Sequence, residues 1–214
     1  MPSAQPASRE LSAELLPFAE ALREPAWART ATGTLRWLVE RSDANLQAER
    51  RLPVLVTVAS VYARSCAPQL SSERHYDVVA RFTLLFFLVD DAAQGELPDL
   101  ATAEASWSIG RYTPALRAWL AELTEQATAP VRLRQRFARA YHDYLAARRA
   151  EHGHRARPLG LQEHWAFRRR SIFMDPYLDL WMMLIGIDPD AVGELPFLEA
   201  RALAVDLVLL ANDL

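Results

Sequence analysis

The sequence predicts an all-α protein, and three observations support this prediction. Only 7 of the 214 residues are glycine, whereas Ala, Leu, Arg and Glu, which favour helices, are abundant. Proline and glycine separate a series of segments that are long enough to be helices. Turn sequences typical of β-hairpins, such as Asn-Gly, do not occur. We therefore expect helices packed side by side around an apolar core.

The chain is predicted to consist of a short tail and one helical domain, whose helices are separated by proline and glycine residues. Residues 1–8 are mostly small or polar and include two prolines, so we expect a disordered tail. Residues 9–214 are expected to form a single domain. Pro176 should kink or break its helix across 172–176. The predicted helices span 9–23, 27–42, 46–66, 72–92, 101–108, 113–127, 131–151, 161–185 and 190–214.

Two segments show the apolar spacing of amphipathic helices. The first, 131–151, carries on one face Leu133, Phe137, Tyr141, Tyr144 and Leu145, with its arginines largely elsewhere. The second, 72–92, has a stripe formed by Tyr76, Val79, Phe82, Phe86 and Val89.

Charge and composition exclude several function classes. A net charge of −3, from 24 basic and 27 acidic residues, gives no electrostatic reason to expect nucleic acid or an anionic membrane as partner. Cys66 is the single cysteine, which excludes an intramolecular disulfide and a cysteine-rich zinc site. No basic-then-apolar leader and no 18-residue apolar run occur, so we expect a soluble, cytoplasmic protein.

Two adjacent aspartates, Asp90 and Asp91, directly follow the apolar-rich residues 82–89. Neighbouring carboxylates at the end of a buried helix repel each other, lose hydration and meet the negative end of the helix dipole. A divalent cation would relieve all three problems, and Mg²⁺ is usually held by one or two carboxylates together with substrate phosphates. A helix that simply ends at the surface would explain the pair without a metal.

Aromatic residues precede the aspartates on the same helix. Phe82, Phe86 and Asp90 are spaced by four residues and therefore share one face. Aromatic rings in a dry pocket can stabilise a carbocation by cation–π attraction, which contributes ~2 kcal/mol or more when desolvated. The same rings would also serve as ordinary core residues.

The last helix and an arginine triplet supply further candidates. Asn212 and Asp213 follow an apolar helix, and the amide oxygen of Asn212 is a ligand suited to a hard cation. Arg168, Arg169 and Arg170 point in three directions on a helix. One of them could face inward and hold a diphosphate through its planar guanidinium. A solvated face would account for the triplet equally well.

Taken in this order, the motifs resemble those of bacterial class I terpene cyclases of the sesquiterpene type. Asp90-Asp91 resembles the start of the family's aspartate-rich motif. Asn212-Asp213-Leu214 resembles the start of its second metal motif, which continues to a serine and a glutamate. The resemblance covers residues 50–214 and implies the helical bundle of class I terpenoid synthases.

The same resemblance assigns roles near the arginine triplet. Arg168 lies 44 residues before Asn212, close to where the family has its diphosphate-sensing arginine. Ser171 would then be the linker, and Ile172 the effector whose carbonyl points into the pocket. Arg169 could replace Arg168 as the sensor, which would shift the other two roles to Ile172 and Phe173.

The family also implies a reaction. Three Mg²⁺ ions would join the two acidic helix ends to the diphosphate of an isoprenoid, for which farnesyl diphosphate is expected. Loss of diphosphate, which is carbon–oxygen lyase chemistry, leaves an allylic cation that cyclises in a water-free pocket. Phe82, Phe86 and Phe173 would line that pocket. The resemblance places the enzyme in bacterial secondary metabolism and leaves a homodimer open.

The sequence departs from the family pattern at two places. Residues 92–95 are Ala-Ala-Gln-Gly where a third acid is usual, so Glu96 is the first acid available. The chain ends before the serine and glutamate of the second metal motif and before the family's C-terminal helices. We therefore expect the natural protein to continue past Leu214, and the 214 residues alone to be inactive.

Two other function classes compete with the cyclase. A prenyltransferase would need a second complete aspartate-rich motif, and 205–214 offers only Asp206 and Asp213. A non-catalytic helical bundle of the same fold is favoured by Gln94 and by the missing residues. Such a bundle would show no magnesium-dependent stabilisation in the presence of diphosphate.

Overall fold

The computed structural model describes residues 23–42, 51–66, 70, 72–90, 110–126, 131–155, 159–187 and 194–213. These residues form eight helices and no β-strand, which confirms the predicted all-α class. The tail predicted over 1–8, the helix predicted over 101–108 and residues 9–22 of the helix predicted over 9–23 lie outside the described residues. The helices are α1 (Pro25–Arg41), α2 (Leu52–Cys66), α3 (Glu73–Asp90), α4 (Thr113–Gln126), α5 (Val131–Arg155), α6 (Leu161–Ser171), α7 (Met174–Ile185) and α8 (Glu194–Asp213).

Proline and glycine lie at several helix ends, but not always as the sequence predicts, since the helix predicted over 131–151 continues through Gly153 to Arg155. Pro25, which precedes the helix predicted over 27–42, is the first residue of α1. The first helical N–H has no intrahelical acceptor, so a proline at that position does not cost the helix a hydrogen bond. Gly186 closes α7 with φ 73°, a left-handed conformation that suits glycine, and the N–H of Ile187 bonds to the Met182 carbonyl at 3.1 Å.

The chain divides into two compact units, 1–87 and 88–214, and the division falls inside α3. In the first unit α1 packs against α2. From residue 78 to 85, α3 is buried nearly all round, as its apolar sequence requires. No helix in the described ranges is long and apolar enough to cross a bilayer.

Arg64 is the polar centre of the first unit. Its guanidinium donates to the Thr30 hydroxyl at 2.9 Å and to the Glu73 carboxylate at 2.9 Å, and it lies 4.1 Å from the centre of the Tyr76 ring. The Arg64 side chain is 8% exposed. Through these contacts one arginine joins α1, α2 and α3. The hydrogen bond from Arg64 holds the pKa of the Glu73 carboxyl below its usual value.

In the second unit, α5 packs against α6 and α7, and α8 packs against both of those helices. The predicted apolar face of α5 is confirmed as core, because Phe137, Tyr144 and Leu145 are almost fully buried. Trp119 of α4 joins this core, with its ring 5.8 Å from that of Phe137.

We predict that Arg64→Ala lowers the free energy of unfolding by about 2–3 kcal/mol, because hydrogen bonds to a charged group and a ring contact are lost together. Urea denaturation followed by circular dichroism measures this loss. Arg36→Ala is the matched control, since Arg36 is exposed on α1. Equal losses from the two variants would contradict the central role of Arg64.

Candidate active site at a broken helix

The break predicted across 172–176 is present. Helix α6 ends at Ser171, Ile172 has φ −86° and ψ −1°, Phe173 has φ 66° and ψ 3°, and α7 begins at Met174. Pro176 is the third residue of α7, where the missing N–H would have had no intrahelical partner. The proline therefore belongs to the first turn of the new helix, and the bend itself is at Ile172 and Phe173.

Phe173 is the one non-glycine residue with positive φ among those described. A bulky side chain in the left-handed region costs free energy and persists only where packing holds it. The ring of Phe173 meets those of Tyr144 and Tyr141 edge-on, with centroids 4.6 Å and 6.2 Å away. All three side chains are buried, and burial raises the pKa of the Tyr141 hydroxyl, which stays protonated. Aromatic packing from α5 thus stabilises the strained residue.

The three arginines before the break have different surroundings. Arg169 binds Asp206 of α8 with two parallel hydrogen bonds, Nε to Oδ1 and Nη2 to Oδ2, both 2.7 Å long. This pairing holds the pKa of the Asp206 carboxyl below its usual value. Arg170 donates to the Ala166 carbonyl of its own helix at 3.3 Å. Arg168 is half-buried and lies one turn before the break.

The proposed linker and effector occupy the end of α6. Ser171 is buried, and its hydroxyl donates to the Arg168 carbonyl at 3.3 Å. The N–H of Ile172 bonds to the same carbonyl at 3.0 Å. The main chain therefore connects Arg168 directly to the two residues that follow it.

A buried carboxylate lies just beyond the break. Asp179 of α7 is 0% exposed, and its Oδ1 accepts from Arg201 Nη1 at 2.6 Å and lies 3.0 Å from Arg136 Nε. Burial raises the pKa of Asp179, while the guanidinium groups of Arg201 and Arg136 oppose this shift. Asp179 Oδ2 and Arg136 Nη2 are buried without a hydrogen-bonding partner among the described residues. Two arginines thus compensate one buried charge that joins α5, α7 and α8.

A cavity of about 400 Å³ lies beside this carboxylate. Its lining is strongly charged, with four arginines and three aspartates, namely Arg136, Arg139, Arg170, Arg201, Asp143, Asp175 and Asp179. Such a lining does not suit an apolar carbocation, and we do not assign the cavity to the isoprenoid chain.

Asp90, the last residue of α3, is exposed and interacts with Arg148 of α5. Arg148 Nη2 lies 3.1 Å from the Asp90 carboxylate and donates to the Asp90 carbonyl at 2.9 Å. A cation at the C-terminal end of a helix is favourable. In this structure the compensation for Asp90 that we expected from a divalent cation is provided by an arginine.

The other predicted site residues are distributed as follows. Phe82 is buried on α3, and Phe86 is partly exposed with its ring 5.4 Å from that of Phe87. Asp91 and Glu96 lie outside the described residues. Asn212 lies in α8, and its side chain is not among those described.

The described residues contain no group of three or more His, Cys, Asp or Glu side chains that could hold a metal. The exposed Asp90 carboxylate still fits Mg²⁺, which needs only one or two protein carboxylates when waters and phosphates complete its shell. Binding would require Asp90 to exchange Arg148 for the metal.

Sequence reasoning did not find the charged residues that surround the break. Asp179 offers a signal, since it is the one acid in the otherwise apolar run 177–185. An isolated acid inside a buried helix requires a partner. Arg136, Arg148, Arg201 and Asp206 carry no such signal, because ion pairs between separate helices have no characteristic spacing.

The second unit thus combines a helix broken at Ile172 and Phe173, an arginine one turn before the break, and a carboxylate at Asp90 of α3. Residues 81–214 match the protein family described as terpene synthase family 2, C-terminal metal binding. This match covers more than half of the chain, which therefore belongs to that family and is a terpene synthase of the metal-binding type. Comparisons with curated proteins and with solved structures find no match.

We predict that Phe173→Gly is more stable than Phe173→Ala by about 1 kcal/mol. Both variants lose the ring, but only glycine adopts the left-handed conformation without cost. Urea denaturation measures the free energy of unfolding of both variants, and the difference between them gives the cost of the left-handed backbone conformation at residue 173. At an ordinary helical position, such as Ala147 on α5, glycine should instead be the less stable residue. Greater stability of the alanine variant at 173 would show that the backbone there is unstrained.

Proposed function

We propose that the chain contains the ionisation site of a class I terpene cyclase that releases diphosphate from farnesyl diphosphate and cyclises the cation to a sesquiterpene. The observation that carries this proposal is the break between α6 and α7, one turn after Arg168, in a member of the terpene synthase family. The break places a cationic side chain one turn before the Ile172 carbonyl, whose helical donor would be the N–H that Pro176 lacks.

Ile172 is the proposed effector. In a continuous helix its carbonyl would accept from the N–H of residue 176, but Pro176 has no N–H. The Phe173 carbonyl differs, because it accepts from the Tyr177 N–H at 3.4 Å. The Ile172 carbonyl is therefore the group that can offer its negative end to a developing carbocation.

Arg168 is the proposed diphosphate sensor. Arg169 would first have to leave Asp206, which it holds with two short charge-assisted bonds. Arg168 lies on the preceding position and is linked through its carbonyl to Ser171 and Ile172. A diphosphate drawn to Arg168 would pull on the residues that orient the effector.

Asp90 is the proposed metal ligand on α3, with Asp91, Glu96 and Asn212 as the remaining candidates. Three Mg²⁺ ions are expected, as in the enzymes that the sequence resembles. When bound, Mg²⁺ would neutralise charge on the diphosphate and so favour its departure. Asp90 would hold the diphosphate end of the substrate near α3, and Arg168 would stabilise the leaving group.

The apolar side of the site is assigned to Phe173, while Phe82 and Phe86, which belong to the first compact unit, are candidates from the sequence alone. Aromatic faces attract positive charge and exclude water, which would otherwise capture the cation. Phe173 directly follows the effector, and its ring is held by Tyr141 and Tyr144. Product identity depends on the contour of this pocket.

The pairing of Asp90 with Arg148 favours a second candidate, a non-catalytic bundle of the same fold. In such a protein the arginine would replace the metal permanently. The two candidates differ in one simple measurement. A cyclase should gain thermal stability when Mg²⁺ and inorganic diphosphate are added together, and the non-catalytic bundle should gain none.

Asp90→Asn should lower magnesium-dependent diphosphate release from farnesyl diphosphate by at least about 100-fold, because an amide neither carries the charge nor binds the metal as a carboxylate does. Diphosphate release is measured in the protein expressed from its complete reading frame. Asp77→Asn, on the preceding part of α3, is the control for a lost carboxylate. Unchanged release by Asp90→Asn would refute the assigned role.

Arg168→Ala should lower diphosphate release more than Arg169→Ala, by roughly tenfold or more, because Arg169 is already paired with Asp206. Single-turnover release of diphosphate from farnesyl diphosphate measures the difference. The opposite order would make Arg169 the sensor and shift the linker and effector roles to Ile172 and Phe173.

A further inference from the structure

We infer that α8 fixes the orientation of α6 relative to α7 across the break, and that Asp206 and Arg201 are positioning residues for the effector. Two arginine–aspartate clamps hold α8 to the chain, one on each side of the break. The catalytic consequence rests on the proposed function, whereas the structural clamp does not.

The first clamp lies before the break. Arg169, in the last turn of α6, binds Asp206 of α8 through both nitrogens at 2.7 Å. Two parallel bonds fix the orientation of the guanidinium as well as its distance, which a single contact cannot do. Here α6 supplies the cation and α8 the anion.

The second clamp lies after the break and has the opposite polarity. Arg201 of α8 donates from Nε to the Asp175 carboxylate at 2.7 Å and from Nη2 to the Asp175 backbone carbonyl at 2.8 Å. Its Nη1 donates to Asp179 at 2.6 Å. Arg201 is only 11% exposed, so solvent screens these bonds little. One arginine thus holds both the main chain and two side chains of the first α7 turns.

The bend contains a strained residue, Phe173, so contacts from other helices matter for holding its conformation. Two backbone hydrogen bonds at the bend run from Ile172 N–H to the Arg168 carbonyl and from Tyr177 N–H to the Phe173 carbonyl, and the second is long at 3.4 Å. Phe173 has a conformation that is unfavourable for a bulky residue. With α6 and α7 both fixed to α8, the direction of the Ile172 carbonyl is set by three helices and not by one turn.

The clamps also relate the break to the metal motif on the same helix. Arg201 and Asp206 lie five residues apart on α8, and a cavity of about 180 Å³ lies beside Arg169, Asp175 and Arg201. Asn212 follows Asp206 by six residues, or ~9 Å along a helix axis. A shift of α8 would therefore move Asn212 relative to Arg168. Asp206 and Arg201 would align the sensor, the effector and the second metal motif without touching substrate.

Hydrogen exchange of the Ile172 and Tyr177 amides tests the clamp in the unliganded protein. Asp206→Asn should speed exchange at both amides about threefold to tenfold, while amides of α1 stay unchanged. Arg170→Gln is the matched control, since Arg170 is the neighbouring arginine and bonds only to its own helix among the described contacts. The charge swap Arg169→Asp with Asp206→Arg should return exchange to the original rate. Asp206 is chosen because loss of Arg201 would leave Asp179 buried with less compensation and could unfold the protein.

Catalysis tests the positioning role in the protein expressed from its complete reading frame. Asp206→Asn should lower kcat for farnesyl diphosphate and raise the uncyclised share of product, with KM changed less than about twofold, and the swap should restore both. Unchanged exchange at Ile172 and Tyr177, an equal rise in α1, or no recovery in the swap would overturn the clamp. Faster exchange with unaltered kcat and products would reduce Asp206 to a structural residue and overturn its positioning role. If no variant, including the original protein, acts on farnesyl diphosphate, the proposed function fails, and the exchange result still decides the clamp.

Discussion

Arg201 lies between Asp175 and Asp179, and the arrangement of the second unit depends on this contact. A carboxylate that is fully buried, as Asp179 is, loses most of its hydration and must be compensated inside the protein. Arg201 from α8 and Arg136 from α5 provide that compensation. Because the two arginines come from different helices, the requirement to neutralise one charge also determines which three helices meet.

The strained bend at Phe173 depends on the same surroundings. Its cost is local, but the interactions that offset it come from Tyr141 and Tyr144 on α5 and from the two ion pairs with α8. Strained residues that persist in a folded protein are concentrated at functional sites. Here the strained residue directly follows Ile172, whose carbonyl would have accepted from the N–H that Pro176 lacks.

Asp90 was predicted to bind a divalent cation, but in the structure it contacts an arginine. The adjacent acids and the apolar run before them predicted the end of a helix over 72–92, and the structure describes α3 from Glu73 to Asp90. The structure places Arg148 where the sequence suggested a metal. Either a guanidinium group or a metal ion can neutralise the Asp90 carboxylate. The local sequence around Asp90 gives no sign that the arginine, which comes from α5, lies there.

The sequence by itself determined the helical class, the helix ends near proline and glycine, the core face of α5 and the break near Pro176. These features follow from local rules, because hydrogen bonds within a helix and the period of apolar residues act over a few positions. Only the tertiary structure decided that Arg169 pairs with Asp206, that Arg201 and Arg136 neutralise Asp179, and that the bend falls at Phe173. Those outcomes depend on residues 22 to 43 positions apart in the chain, whose approach is governed by how whole helices pack.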